Sequence, residues 1–241
     1  KSGLLKEAIE AFDKAIRLKP TYAEAYAARG NMRNHLVQNE RAIQDLDEAI
    51  RLNPQYTEAY YSRANAYMDI GQLEKALKDY DATVSLNASH AEALYNRALV
   101  HVLLAHGEAA ADARSYLDMK GWQEERAMYI VLIGYLGYRY GRNEEEARKL
   151  LEEAKTKCDP VVWPYPIVRH LLGELSAQAL LNLATDDDKK TEAQAYAGIN
   201  LSLSGKPEEA LVHLSWVKDN GNKGFIEYAL AAAEFNRMGK P

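Results

Sequence analysis

Six histidines, one cysteine and a Ser-Gly-Lys run are the residues of this 241-residue chain whose types could carry chemistry. The histidines are His35, His90, His101, His106, His170 and His213. Two of them four apart on a helix, or an HExxH run, would place imidazoles on one face for a zinc ion. No such pair occurs, so no metal site is expected. Cys158 is the single cysteine, which removes any intramolecular disulfide or thiolate cluster, and no histidine is patterned beside it to take its proton. Ser204-Gly205-Lys206-Pro207 has the look of the end of a phosphate-binding loop. Asn200, however, stands where the first glycine belongs, and Pro207 where the magnesium-binding hydroxyl belongs. Catalytic residues and cofactors are therefore read as none, and what remains is a surface that binds.

The totals narrow the partners. A formal net charge of -5 and a pI near 5.8 leave the chain without the basic excess that phosphate backbones reward, so nucleic acid is not expected. Apolar residues make up 47%, enough for an extended packed array. No apolar run approaches the ~18 residues of a membrane span. The chain opens at Lys1-Ser2-Gly3 without a charged-then-apolar leader, which says little about export; cytoplasmic and periplasmic locations both stay open.

Any binding surface must be built by a repeating element, seen best in Gln55 to Asn87. Ala59, Tyr60, Arg63, Ala64 and Tyr67 recur at helical spacing, Gly71 interrupts, and Leu73, Ala76, Leu77, Tyr80 and Val84 resume the pattern. Two amphipathic helices joined by a break cannot bury their faces alone. The chain supplies neighbours at a step of 34: Ala8, Ala42, Ala76 and Ala110; Phe12, Leu46 and Tyr80; Pro20 and Pro54; Glu24, Glu58 and Glu92. Arg29, Arg63 and Arg97 keep the same step, as do Asp13, Asp47 and Asp81, and are read as pairs holding a second helix to a first helix.

A 34-residue period with two helices, a small residue on the second and a closing proline resembles the tetratricopeptide repeat, over Gly3 to about Ala110. The resemblance implies an all-α fold, a right-handed superhelical solenoid of antiparallel helix pairs with less regular repeats toward the C-terminus. Gly3, Gly71 and Gly141 are expected to supply the left-handed residue that closes each first helix, and Pro20 and Pro54 to end each second one. Residues 1–122 are read as the regular array, its first unit lacking its first helix. Residues 123–160 form a degenerate helix pair, and 161–241 a helical subdomain with one repeat-like unit and a terminal helix. The run Asp186-Asp187-Asp188-Lys189-Lys190 is read as a solvated loop, with Thr191 and Gln194 capping the helix after it.

In that family the first helices line a concave groove, and the resemblance carries the groove positions onto this chain. The peptide-binding set it implies is Asn31, Asn34, His35, Tyr61, Asn65, Met68, Tyr95, Asn96 and Leu99. Asn offers a donor and an acceptor to a peptide backbone and Tyr adds apolar area, which suits an extended peptide. Ala27, Glu58 and Glu92 stand where a clamp on a C-terminal carboxylate would need cations, so that ligand is disfavoured.

The leading expectation is a non-catalytic adaptor that binds a peptide or helix of another protein. The alternative is a homo-oligomeric module, paired through Phe225, Ile226, Tyr228 and Phe235 or through an exposed N-terminal helix. The stretch from Trp163 to Ser176, with Trp216, Asn220 and Phe225 to Leu230, loosely resembles the NlpI family of bacterial outer-membrane lipoproteins, which implies a bacterial, dimeric envelope adaptor.

Overall fold

The computed structural model describes residues 2–239, and among them every regular element is an α-helix. The chain separates into two compact units, Lys1–Val100 and His101–Pro241. The first holds α1 (Ser2–Leu18), α2 (Ala23–His35), α3 (Asn39–Leu52), α4 (Thr57–Asp69), α5 (Leu73–Leu86) and the start of α6 (Ala91–Leu103). Consecutive helices pack pairwise from α1 to α5, and α2 also packs against α4. Ala42, Leu46, Ala49 and Ala59 are fully buried where α3 meets its neighbours, with Tyr26, Ile50 and Tyr56 packed around them.

The breaks between helices follow backbone chemistry more closely than residue identity. Val37, Gly71 and Ala105 all have positive φ (58°, 72° and 59°) and are 34 apart, so the left-handed closing residue recurs on the period whether or not it is glycine. Each closes the same turn: the next residue donates back to the carbonyl five before it, Gln38 to Arg33 (2.9 Å), Gln72 to Tyr67 (2.8 Å) and His106 to His101 (2.8 Å). Two expected closers are therefore corrected. Gly3 lies inside α1, and Gly141 has φ −73°, its left-handed role passing to Arg142 at φ 56°. Proline is likewise not what ends the second helices. Asn53 and Asn87 both leave the helix in extended conformation, and their Oδ1 atoms accept from the amides of Gln55 (3.1 Å) and Ser89 (3.0 Å). Pro54 follows one and Ala88 the other, with the same outcome.

The second unit contains α7 (Ala109–Lys120), α8 (Ala127–Tyr140), α9 (Glu144–Lys157), the short α10 (Tyr165–Leu171) and α11 (Ala177–Leu183), then α12 (Asp187–Leu203), α13 (Pro207–Asn220) and α14 (Ile226–Arg237). Helix α8 is almost wholly buried, crossing α7 where Gly137 sits against the Ala110 amide. The acidic run before Thr191 is helical: α12 begins at Asp187, and Asp186 caps it by accepting from the Lys189 amide at 2.8 Å. The expected loop and the expected Thr191 cap are both displaced by one turn, and Thr191 Oγ1 instead donates to the Asp187 carbonyl. Helix α14 packs on α12 and α13, burying Leu230, Ala231 and Phe235. Glu227 and Glu234 are buried with them. Glu234 is satisfied there by Tyr140 (2.9 Å), Ser202 (2.6 Å) and Arg237 (2.8 Å).

Candidate functional site

The amide side chains of α4 and α6 are joined by a hydrogen bond, and one on α2 is bound to the α4 backbone. Asn96 Nδ2 donates to Asn65 Oδ1 at 3.1 Å and to the Tyr61 hydroxyl at 3.4 Å. Asn65 Oδ1 also accepts from the Tyr80 hydroxyl at 2.6 Å, so its acceptor is committed inside the chain and its amide N–H group is what it can offer outward. Asn34 Nδ2 donates to the Ser62 carbonyl at 2.8 Å, while Asn34 Oδ1 is buried without a partner among the described residues. Tyr61 packs in a tilted contact on His90, with ring centroids 4.6 Å apart. Met68 receives a weak bond from Tyr80 at 3.8 Å. Asn31, Tyr61, Asn65, Met68, Tyr95 and Asn96 are half-buried, His35 is exposed, and Leu99 is packed inside the unit at 5% exposure.

Tyr80 is the member of this set that periodicity hides. Its position is the bulky core slot held by Phe12 and Leu46 in the units before it, and only the hydroxyl distinguishes it. Burial pushes that hydroxyl's pKa far up, so it is a neutral donor that fixes Asn65. His90 is a second such residue. It lies 3.7 Å from both Glu58 and Glu92 and accepts from the Ala93 amide at 3.2 Å, holding the start of α6 and two rungs of the glutamate series together.

Behind this face the charge ladder holds the helices. Arg29 meets Asp13 at 2.5 Å, Arg63 meets Asp47 at 2.5 Å, and Arg97 meets Asp81 at 2.9 Å, each pair on the expected step. A deeper rung lies beneath them. Arg29 forks onto Asp45 and Arg63 onto Asp79, the latter through Nε at 2.6 Å and Nη2 at 2.7 Å. Asp45 and Asp79 are 4% and 3% exposed, so the guanidinium groups neutralise buried carboxylates.

The second unit carries a different chemistry. A cavity of about 440 Å³ is lined by Trp122, Tyr129, Cys158, Val162 and Trp163 among others. Beside it Trp163 Nε1 donates to Glu192 at 2.8 Å. Burial pushes the carboxyls of Glu192 and Glu227 up to about 7, and on Glu192 the charge of Glu227 adds to that push. Cys158 donates to the Trp122 carbonyl at 3.4 Å and its pKa is raised by burial, the opposite of what a nucleophilic thiolate needs. His101 and His106, five apart in sequence, bring their Nδ1 atoms within 3.4 Å of each other, with Glu108 close by. A search for four-residue spacing passes over this pair because the turn at Ala105, not a helix face, joins it.

Comparison with known proteins agrees with this architecture. Residues 1–33, 38–71 and 64–104 match the family described as TPR repeat. No curated protein matches the chain. Among solved structures, a tetratricopeptide repeat protein from Parabacteroides merdae ATCC 43184 is similar at 19% identity, covering 97% of this chain and 93% of that one, with a TM-score of 0.61. MamA is similar at 22% identity over 64% of this chain and 88% of its own, with a TM-score of 0.56. YrrB, described as a TPR protein with an unusual peptide-binding site, is similar at 19% identity, covering 93% and 98% of the two chains at a TM-score of 0.56. At such identities these likenesses speak to the fold. No helix among the described residues is long and apolar enough to cross a membrane.

Proposed function

Starting from a chain whose residues 1–33, 38–71 and 64–104 match the TPR repeat family, we propose a non-catalytic adaptor that holds an extended peptide segment of another protein along α2, α4 and α6. The observation that carries this is the amide set itself. Asn34, Asn65 and Asn96 are tied to the scaffold through one atom or group each, which leaves the others oriented and their ordering cost already met. Asn34 is fixed in the set by its Nδ2 bond to the Ser62 carbonyl at 2.8 Å. Tyr61 and Tyr95 add aromatic area beside it. A buried Leu99 narrows the contact set to the remaining residues.

The test is selection of peptides from a randomised display library against the full chain, followed by affinity measurement on variants. Asn65→Ala is a poor probe because it would strand the buried Tyr80 hydroxyl. Asn31→Ala and Tyr61→Ala are better, since both leave the Tyr80 hydroxyl its acceptor on Asn65. Loss of the Tyr61 anchor is expected to weaken selected peptides by about tenfold or more, with the helical content unchanged. Selected peptides that bind both variants as well as the parent would place the contact elsewhere.

Self-association is a second reading, favoured by α1. Its Leu4 is 71% exposed and Leu18 88% exposed, and Leu5, Ile9, Phe12 and Ile16 are only half covered. Light scattering at micromolar concentration decides it: a strict monomer removes the reading, and loss of the dimer in Phe12→Glu would support it.

A further inference from the structure

We propose that His101, His106 and Glu108 form a binding site for a first-row divalent metal ion, zinc by its ligand set. The site is a product of the repeat's own turn. Wherever the left-handed residue closes a first helix, the residue after it is drawn back over the residue five before it, because its amide donates to that residue's carbonyl. In the earlier turns this juxtaposes Arg33 with Gln38 and Tyr67 with Gln72. In the third, the same geometry juxtaposes two imidazoles, and their Nδ1 atoms stand 3.4 Å apart.

That separation is informative. Zinc bonds imidazole nitrogen at about 2.0–2.1 Å, and two such bonds at the tetrahedral angle put their nitrogens about 3.3–3.4 Å apart. Ligand atoms of His101, His106 and Glu108 all lie within 4.8 Å of one another, so one carboxylate oxygen can take a third position. Glu108 stands at the N-cap of α7 but its side chain makes no capping bond, so its carboxylate is not committed to the helix amides. The negative end of the α6 backbone dipole lies at the same turn and favours a cation there.

The donors are also held in place. His106 N is bonded to the His101 carbonyl at 2.8 Å, Ala105 N to the Val102 carbonyl at 2.9 Å, and Arg237 Nη1 to the Leu103 carbonyl at 3.0 Å. Gly107 lies against Gly141 so closely that a Cβ at Gly107 would stand 2.9 Å from the Gly141 Cα. A turn fixed on three sides gives the preorganisation a three-ligand site needs, with the fourth tetrahedral position left to water or to an incoming donor.

The experiment uses the full chain, freed of metal by chelator, titrated with Zn²⁺ alone by calorimetry and with Co²⁺ alone by visible absorption. One ion per chain is expected, with cobalt bands of tetrahedral intensity and a thermal midpoint that rises with added zinc. His106→Gln, which alters only the turn's surface, should weaken zinc by more than the 10–100-fold that loss of an outer partner costs. Glu108→Gln should weaken it less and change the cobalt spectrum, and neither variant should shift the midpoint of the metal-free protein appreciably. Zinc bound equally well by His106→Gln, or no ion bound by the parent chain at all, would overturn the site.

Discussion

Arg63 shows what a single residue contributes in this array. Its guanidinium faces two carboxylates of very different exposure: Asp79, whose side chain is 4% exposed, and Asp47, at 52%. Removing an exposed partner costs at most about 1 kcal/mol, because water and side-chain entropy already discount that pair. Removing the arginine leaves Asp79 buried and unpaired, a loss of about 3 kcal/mol. Asp47→Ala should therefore shift urea denaturation of the first unit slightly and Arg63→Ala strongly, as followed by far-ultraviolet circular dichroism. Equal effects would mean that Asp79 finds water when its partner is gone. The outer rung of this ladder was legible from the 34-residue step, and the inner rung was not. Asp45 and Asp79 keep the step too, but they sit two residues before Asp47 and Asp81 on the same helices. Periodicity alone does not say which of two carboxylates, about 200° apart around a helix, turns inward. The same blindness hid Tyr80, whose ring obeys the core pattern while its hydroxyl donates to Asn65.

At the scale of helices, close crossings decide where the chain tolerates change. A Cβ added at Gly137 would lie 2.6 Å from the Ala110 backbone nitrogen and 2.9 Å from Ala109 Cβ. Neither neighbour can swing away, since both belong to the start of α7. Overpacking of this kind costs ~1–3 kcal/mol, against the ~1 kcal/mol that alanine gains over glycine inside a helix. Gly137→Ala should thus lower stability on balance, whereas Gly3→Ala, in α1 with nothing within 4 Å, should be neutral or slightly stabilising. Thermal denaturation of the two variants reads the contrast, and a stabilised Gly137→Ala would show that α7 and α8 can part. The 34-residue step does mark the helix pairs, with Ala42 and Ala76 buried on α3 and α5 as the repeat requires. Glycine, however, does not mark the turns. Val37, Ala105 and Arg142 adopt the left-handed conformation without it, since the turn's two backbone hydrogen bonds and the packing of the flanking helices outweigh a strain of about 1–2 kcal/mol. The Ala105 turn is also where the His101–His106 pair is made, which the spacing of histidines on a helix face does not reveal.

For the molecule as a whole, two buried carboxyls set a pH dependence that the net charge of -5 does not reveal. Glu192 and Glu227 are 4% and 3% exposed, and their folded pKa values stand near 7 against an ordinary 4.5. A group raised in the folded state keeps its proton there while the unfolded chain has already released its own. The stabilisation is present in full below about 4.5 and is lost as pH rises toward 7, beyond which the charge is buried at a cost. For both carboxyls together the loss amounts to a few kcal/mol. The sequence provides a clean reporter, because Trp122, Trp163 and Trp216 all lie in the unit His101–Pro241, and Trp163 donates directly to Glu192. Tryptophan fluorescence in urea should show a higher midpoint at pH 5 than at pH 8. Glu227→Gln, which resembles the protonated acid, should raise the midpoint at pH 8 by the equivalent of ~1–3 kcal/mol and leave it nearly unchanged at pH 5. A variant that shifts the midpoint equally at both pH values would mean that Glu227 is solvated in the folded chain, and that the packing of α14 on α12 is looser than its buried Leu230 and Phe235 indicate.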